Sequence, residues 1–324
     1  MKKHQIGITG TGSLIGQAII KSILRSEYKE EFNLVGFDYF PNTIGSFWCD
    51  KNYVLPDLLK SENHEKWLSR IEVLIIEEKL KVLFIGVDFE LPIFAKYKSQ
   101  IEKNTGCVII VSNESVIEIG NDKYLTYKFL KKNGLNFPET FLPEDCDFSK
   151  LNYPLIIKPR VGARSVGVYK INNEQELISS LTKVNEPIIQ ELVGDDFSEY
   201  TCGIISMNGK LQKSIALKRS LKDGNTFISE FENNCPNVIY EYIQQIAEKL
   251  GVFGSCNLQL RLDKSGVPKL FEINPRHSGT TYMRALFGYN EVIFILKYLI
   301  ENKEIDFSLR EGKVIRHFEE TFIG

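Results

Sequence analysis

Up to about residue 115 short apolar strands alternate with helical stretches, and beyond that point strands follow one another through hairpin turns. In the first part residues 5–9 read as a strand, "GTGSLIGQAIIKSILRSEY" as a glycine turn feeding an amphipathic helix, and "FNLVGFD", "VLFIGVD" and "GCVIIVS" as further strands. Helical patterns at about 63–79 and 89–103 separate them. Such alternation implies a parallel α/β layer, because a parallel neighbour is reached only through a crossover. The second part opens with a helix in "NDKYLTYKFLKKNGLNFPET", closed by Gly134 after a basic last turn, and runs into an extended "FPET". Strands at "YPLIIKPR", "SVGVYKI", "PIIQELV", "SEYTCGIISMNGKLQKSIALKR", "FGSCNLQLRLD" and "VPKLFEIN" follow, with turn signals at Asn208-Gly209 and Ser265-Gly266 and helices at about 174–183, 236–250 and 290–302. This is an α+β region dominated by antiparallel sheet.

With 324 residues, 43% hydrophobic and 25% charged, the chain has material for two or three domains. A net charge of -2 lacks the basic footprint of a nucleic-acid or anionic-membrane binder, which favours small-molecule partners. No apolar run reaches the roughly 18 to 20 residues needed to cross a bilayer, and "MKKHQIGITG" runs directly into a strand, so a cytoplasmic location is expected. Six cysteines without a C-x-x-C are expected to be free thiols, and four dispersed histidines do not suggest a His-based metal site.

"TGTGSLIG", followed by Asp38 at the end of the next strand, invites a dinucleotide reading. Gly10, Gly12 and Gly16 give G-x-G-x-x-x-G, one residue too long for that motif, so a tight strand-to-helix turn, with helix amides bordering a substrate pocket, is the better reading. In "LIIKPRVGARSVGVYKI", Lys158 ends an apolar strand and is followed by Gly162, Ser165 and Gly167, with Arg160 and Arg164 between. Glycine amides that approach closely, beside a fixed cation, suit a phosphate; a solvated hairpin with incidental charge fits the same residues. "PIIQELVGDDFSEYT" meets Gln190-Glu191, resumes with Leu192-Val193 and returns with Glu199. A strand edge followed by a carboxylate suits a nucleoside, although a hairpin with an acidic turn has the same pattern.

Near the C-terminal end "KLFEINPRHSG" breaks an apolar strand with Glu272 and Asn274, which share a face by strand periodicity, while Phe271 and Ile273 are expected in a core. Gln259 stands thirteen residues before Glu272, and a turn at Ser265-Gly266 sets the two opposite each other. The three oxygen donors suit Mg2+, with Mn2+ as a substitute, because a hard cation takes its remaining ligands from waters and nucleotide phosphates. Arg276, just past Pro275, is then in reach of a terminal phosphate or a developing acyl phosphate. His277 is expected to line the pocket or be solvated, not to be a ligand.

Together these motifs resemble the ATP-grasp superfamily, and within it single-unit proteins similar to the large subunit of carbamoyl-phosphate synthase. The resemblance implies an N-terminal parallel α/β pre-ATP-grasp domain at 1–115, then a two-lobed ATP-grasp fold: a small lobe with a glycine-rich lid at 116–190 and a large lobe with the metal site at 191–324. It implies that ATP is the cofactor, with Lys123 and Lys158 on its phosphates and "GARSVGV" as the lid. "QELV" becomes the adenine hinge, good to one residue between Gln190 and Glu191; Glu199 becomes the ribose acceptor, and Gln259, Glu272 and Asn274 the Mg2+ ligands. One departure is that the carbamoyl-phosphate enzymes carry a second arginine shortly after Asn-Pro-Arg, where this chain has Gly279. Another carboxylate is therefore expected as substrate, clamped by Arg284 and Arg219.

The resulting expectation is an ATP-dependent ligase that activates a carboxylate as an acyl phosphate and joins it to an amine, with Arg276 and Lys158 stabilising the transferring phosphoryl group. The alternatives are a kinase-like transfer stopping at an acyl or carbamoyl phosphate, a non-catalytic nucleotide-binding regulator, and, more distantly, a nicotinamide-dependent reductase. Homodimers are common for such folds. The final "EGKVIRHFEETFIG" reads as a terminal strand that either completes the core or forms an oligomer contact.

Overall fold

The computed structural model describes residues 3–162 and 165–323. Strands β1 (His4–Thr9), β2 (Phe32–Asp38), β3 (Lys51–Val54), β4 (Val82–Phe84) and β5 (Val108–Ile110) form one parallel sheet in the order β3-β2-β1-β4-β5. β3 and the short helix α2 (Ile44–Trp48) are absent from the sequence reading, since both are too short, and β3 too exposed, to carry an apolar period. One helix, α1 (Leu14–Leu24), lies between this sheet and the rest of the molecule; Ser13 caps it by accepting from Gly16 N at 2.9 Å. Helices α3 (His64–Glu77) and α4 (Leu91–Thr105) supply Trp67, Leu74 and Phe94 to a separate cluster with Phe37 and Leu83 of the sheet.

The glycine turn does not leave room for a dinucleotide. Asp38, the residue that would meet a ribose, accepts instead from Gly12 N at 2.7 Å, Thr11 Oγ1 at 3.0 Å and Tyr39 N at 2.7 Å. A Cβ on Gly45 would stand 1.9 Å from Thr11 O, so α2 is pressed directly onto the turn.

The helix expected in "NDKYLTYKFLKKNG" occurs as α6 (Lys123–Lys132), capped by the Asp122 carboxylate, and a helix absent from the sequence reading, α5 (Glu114–Asn121), directly precedes it. A four-stranded sheet follows, β6 (Thr140–Phe141), β7 (Leu155–Pro159), β8 (Tyr169–Ile171) and β9 (Pro187–Glu191), in the order β6-β9-β7-β8. With α7 (Glu174–Leu181) it closes its own small core around Ile157, Leu177 and Ile189. The larger antiparallel sheet has the order β14-β13-β10-β11-β12-β15, from β10 (Glu199–Met207), β11 (Lys210–Lys222), β12 (Asn225–Phe231), β13 (Gly254–Leu262), β14 (Pro268–Asn274) and β15 (Gly312–Ile315). Helices α8 (Asn237–Leu250), α9 (Thr281–Leu286) and α10 (Glu291–Glu301) accompany it. The terminal strand thus completes this sheet, Ile315 pairing with Ile228 of β12.

Ile15, Ile19 and Ile23 of α1 share one continuous cluster with Ile205 and Leu217 of the large sheet and Phe287, Ile293 and Phe294 around α9 and α10. The N-terminal sheet and the large lobe are therefore fixed against each other, which holds the first turn of α1 beside β13 and β14. Among the described residues no helix is long and apolar enough to cross a membrane. All six cysteines are free, and Cys107, Cys202 and Cys256 are buried.

Candidate active site

Two clefts meet at the polar face of β13 and β14. The first, of about 410 Å3, lies between the four-stranded and six-stranded sheets. Lys123, Lys158, Gly162, Ser165, Gln190, Glu191, Leu192 and Glu199 all line it, whereas Gly167 does not. Ala163 and Arg164 of the proposed lid lie outside the described residues.

Lys158 stands at the buried end of β7, and its ammonium lies 5.5 Å from the centre of the Phe271 ring with no ion pair among the described residues. Burial pushes its pKa down to about 7, and the neighbouring Lys123 adds to the effect. Lys123, whose pKa burial also lowers, donates to Gly162 O at 2.9 Å and so ties α6 to the glycine loop. A phosphate arriving here would restore the Lys158 charge, raising a pKa that is low in the free protein. At pH 8 nucleotide binding is therefore expected to take up close to a whole proton, read by calorimetry as a binding enthalpy that changes with the ionisation enthalpy of the buffer. Lys158→Met should abolish that dependence; an unchanged dependence in the variant would assign the proton elsewhere.

At the other end of this cleft Gln190 is buried, its Nε2 donating to Thr140 Oγ1 at 2.8 Å, while Glu191 accepts from Lys269 Nζ at 2.7 Å. The last ladder bond of β9 is Glu191 N to Glu139 O at 2.8 Å, and Leu192 belongs to no strand, so its peptide groups are free of the sheet. Glu199 is held between two arginines, accepting from Arg219 Nε at 2.7 Å and Arg261 Nε at 2.8 Å. Arg261 was missed in the sequence, although it stands two residues past Gln259 on the same strand.

The second cleft, of about 330 Å3, lies between the large lobe and the N-terminal sheet. Asn274 and Arg276 line it, and Gln259, Glu272, Arg219 and Ser165 line both clefts. Gln259 is opposite Glu272 and Asn257 opposite Asn274, the register that the turn position implies. Between Gln259 and Leu260 the register slips, because Phe271 is an extra residue in β14. Phe271 therefore lines the first cleft beside Lys158, and the expectation that it points into a core is corrected; Ile273 does lie in the core.

Glu272 Oε1 accepts from Asn274 Nδ2 at 2.7 Å and Gln259 Nε2 at 3.3 Å. The amide oxygens face arginines: Arg219 Nη2 donates to Gln259 Oε1 at 2.7 Å and Arg276 Nη2 to Asn274 Oδ1 at 2.9 Å. One carboxylate and two amides form an all-oxygen set of low charge. It fits a hard cation that shares its coordination with phosphate oxygens, once the amides turn their oxygens inward, and does not fit a softer metal. Among the described residues no group of three or more His, Cys, Asp and Glu side chains is placed to hold an ion. Arg276 also pairs with Asp88 of the N-terminal unit at 2.6 Å, a contact across the second cleft that nothing in the sequence signals.

Two expectations fail. Arg284 is fully buried and does not line either cleft: it donates to Glu291 at 2.8 and 3.0 Å, to Thr280 Oγ1 at 2.6 Å and to Asn257 Oδ1 at 3.1 Å. It braces Asn257 and Thr280 from behind, because a buried guanidinium must find a carboxylate and leaves none of its fork for a substrate. His277 is buried edge-on to Phe84 at 5.3 Å, and burial pushes its pKa down to about 4, so it neither lines the cleft nor meets water. Arg219 stays at the site, but its guanidinium is engaged by Glu199 and Gln259.

Two sequence families match. The one described as "ATP-grasp in the biosynthetic pathway with Ter operon" covers residues 187–321, and "ATP-grasp domain" covers 151–198. The chain is 28% identical over 183 residues to the D-alanine--D-alanine ligase A of Bacillus cereus, spanning 50% of this chain and 60% of that protein. It is 29% identical over 233 residues to the carbamoyl phosphate synthase large chain of a Thermoanaerobacter species, spanning 64% of this chain but 21% of that one. Among solved structures, an L-amino acid ligase from Bacillus licheniformis superposes with a TM-score of 0.70 at 18% identity, covering 92% of this chain and 74% of that one. An ADP complex of N5-carboxyaminoimidazole synthetase from Staphylococcus aureus gives 0.72 at 15% identity, covering 96% and 81%. At such identities these two superpositions speak for the fold alone. Two ATP-grasp family models thus together cover residues 151–321, the part of the chain that carries Lys158 and the Gln259, Glu272 and Asn274 face, and the chain carries an ATP-grasp domain there.

Proposed function

We propose that the chain is a cytoplasmic ATP-dependent ligase that activates a carboxylate as an acyl phosphate and joins it to an amine, releasing ADP and phosphate. The observation that carries this reading is the wall of Gln259, Glu272 and Arg219 shared by a nucleotide-sized cleft and a second polar cleft. Phosphoryl transfer between two small molecules needs such a doorway, with donor on one side and acceptor on the other.

In this reading the peptide groups at Glu191 and Leu192 meet the adenine edge, and Glu199 retains acceptor capacity for a ribose hydroxyl beside its two arginines. Lys158, Lys123 and the glycine loop receive the phosphates. Glu272, with the Gln259 and Asn274 amide oxygens, would hold Mg2+, which would supply charge neutralisation at the phosphoryl group. The substrate carboxylate oxygen attacks the terminal phosphorus and the bond to ADP breaks. The amine nitrogen then attacks the acyl carbon, phosphate leaves, and the amine gives up a proton to solvent. Arg276 and Lys158 hold the negative oxygens of the transferring phosphoryl group, so no side-chain nucleophile is required.

The test is ADP release from Mg·ATP across a panel of amino and sugar acids, each with and without amines. Turnover that needs both an acid and an amine is expected. Turnover with acid alone would replace this reading by a kinase-like one, and nucleotide binding without any turnover would replace it by a regulatory one.

A further inference from the structure

The second cleft has an end that the reaction above leaves without a task. Arg316 stands immediately after β15, and the pairing of that strand with β12 carries it to the cleft. There its Nη2 donates to Gly279 O at 2.5 Å and lies 3.6 Å from Met283 Sδ. Ser13, Leu14, Gly279 and Thr280 line the same cleft.

The cleft contains three arginines, and two are already paired: Arg219 with Glu199, and Arg276 with Asp88. Arg316 has no carboxylate within ion-pair distance among the described residues. Burial lowers its pKa and no anion offsets that, so the guanidinium is partly desolvated with a carbonyl but no carboxylate beside it. Leu14 and Ile15, the first residues of α1, line the cleft as well, and first-turn amides have no acceptor within their own helix. Positive charge therefore gathers around Arg316, and the matching chemistry is a small planar anion that takes two N–H groups.

We propose that Arg316 anchors a second carboxylate, one that the reaction does not consume, so that one of the joined substrates is an amino acid or a dicarboxylic acid. This rests on the ligase reading, which assigns the reacting carboxylate to the Arg276 end. Arg316, which follows Gly279 by 37 residues, is bonded to the Gly279 carbonyl and so is held at this wall of the cleft.

Binding to the Mg·ADP complex would be measured by calorimetry for a panel of L- and D-amino acids and of dicarboxylic acids, each beside its carboxamide. At least one acid is expected to bind about 10- to 100-fold more tightly than its amide, the range of a charge-assisted pair. Arg316→Gln should lose that difference with ADP affinity unchanged, and Arg316→Lys should recover part of it. An amino acid as the responsive ligand places the anchor on the amine side; a dicarboxylic acid places it on the acid side. Equal binding of acid and amide to the wild-type protein, no binding by any member of the panel, or an Arg316→Gln variant that still discriminates would overturn the proposal. The acid-against-amide comparison needs no variant, so a misfolded substitution does not block it. Carboxylate-dependent binding without ADP release would instead remove the ligase reading and leave the anchor in place.

Discussion

Arg284→Met is expected to destabilise the fold by about 3–5 kcal/mol, the usual cost of leaving one member of a buried ion pair behind. The partner is Glu291, which is itself fully buried. Burial alone would push the Glu291 carboxyl up, yet Arg284 and the Thr281 hydrogen bond hold it below its ordinary value, so at neutral pH the variant must bury a bare carboxylate or protonate it. The sign follows from the lowered carboxyl: the stabilisation is present above its unfolded pKa and is lost as pH falls through the folded one. Chemical denaturation near pH 7 would read the loss, and the double variant Arg284→Met with Glu291→Leu should recover most of it, because well-packed apolar replacements of buried pairs are often neutral. A change below about 1 kcal/mol in the single variant would show that the pair is not the brace described above. A selective effect on acid binding is not expected, since Asn257 and Thr280 stand between the guanidinium and the cleft.

Glu272→Gln should lower turnover by about a thousandfold or more while ADP still binds, because in the proposed reaction removing the sole carboxylate of the oxygen set would take away the charge that holds a divalent cation against the phosphates. The substitution preserves shape, and the remaining side-chain oxygen can still accept from Asn274 Nδ2, the 2.7 Å bond that positions it. Steady-state ADP release separates this from a binding defect. A loss of less than about tenfold would mean that Glu272 does not serve the reacting phosphoryl group.

Much of this was readable from the chain because the governing interactions are local. Buried parallel strands announce themselves as apolar runs between helices, and the Gln259–Glu272 register follows from a turn only a few residues away. Phe271 was misread because a bulge adds one residue without changing the alternating pattern that a strand presents. Arg284 was misread because composition cannot reveal that Glu291, seven residues on, waits inside the same core. Arg316 and Asp88 were invisible for a different reason: each is delivered to the cleft by strand pairing or domain packing from a remote part of the chain.

The isoleucines of α1 serve two masters, covering the N-terminal sheet on one side and meeting Phe287 and Phe294 on the other. The N-terminal unit is consequently not a transplantable module: cut away, it would expose the apolar face of α1, and the remainder would lose a wall of its second cleft. The four-stranded lobe, with a core of its own, is the part of the architecture that can be exchanged or can swing as a rigid piece. In the proposed reaction, the second cleft would therefore be shaped when the chain folds, whereas the first cleft has one wall in a lobe with a core of its own.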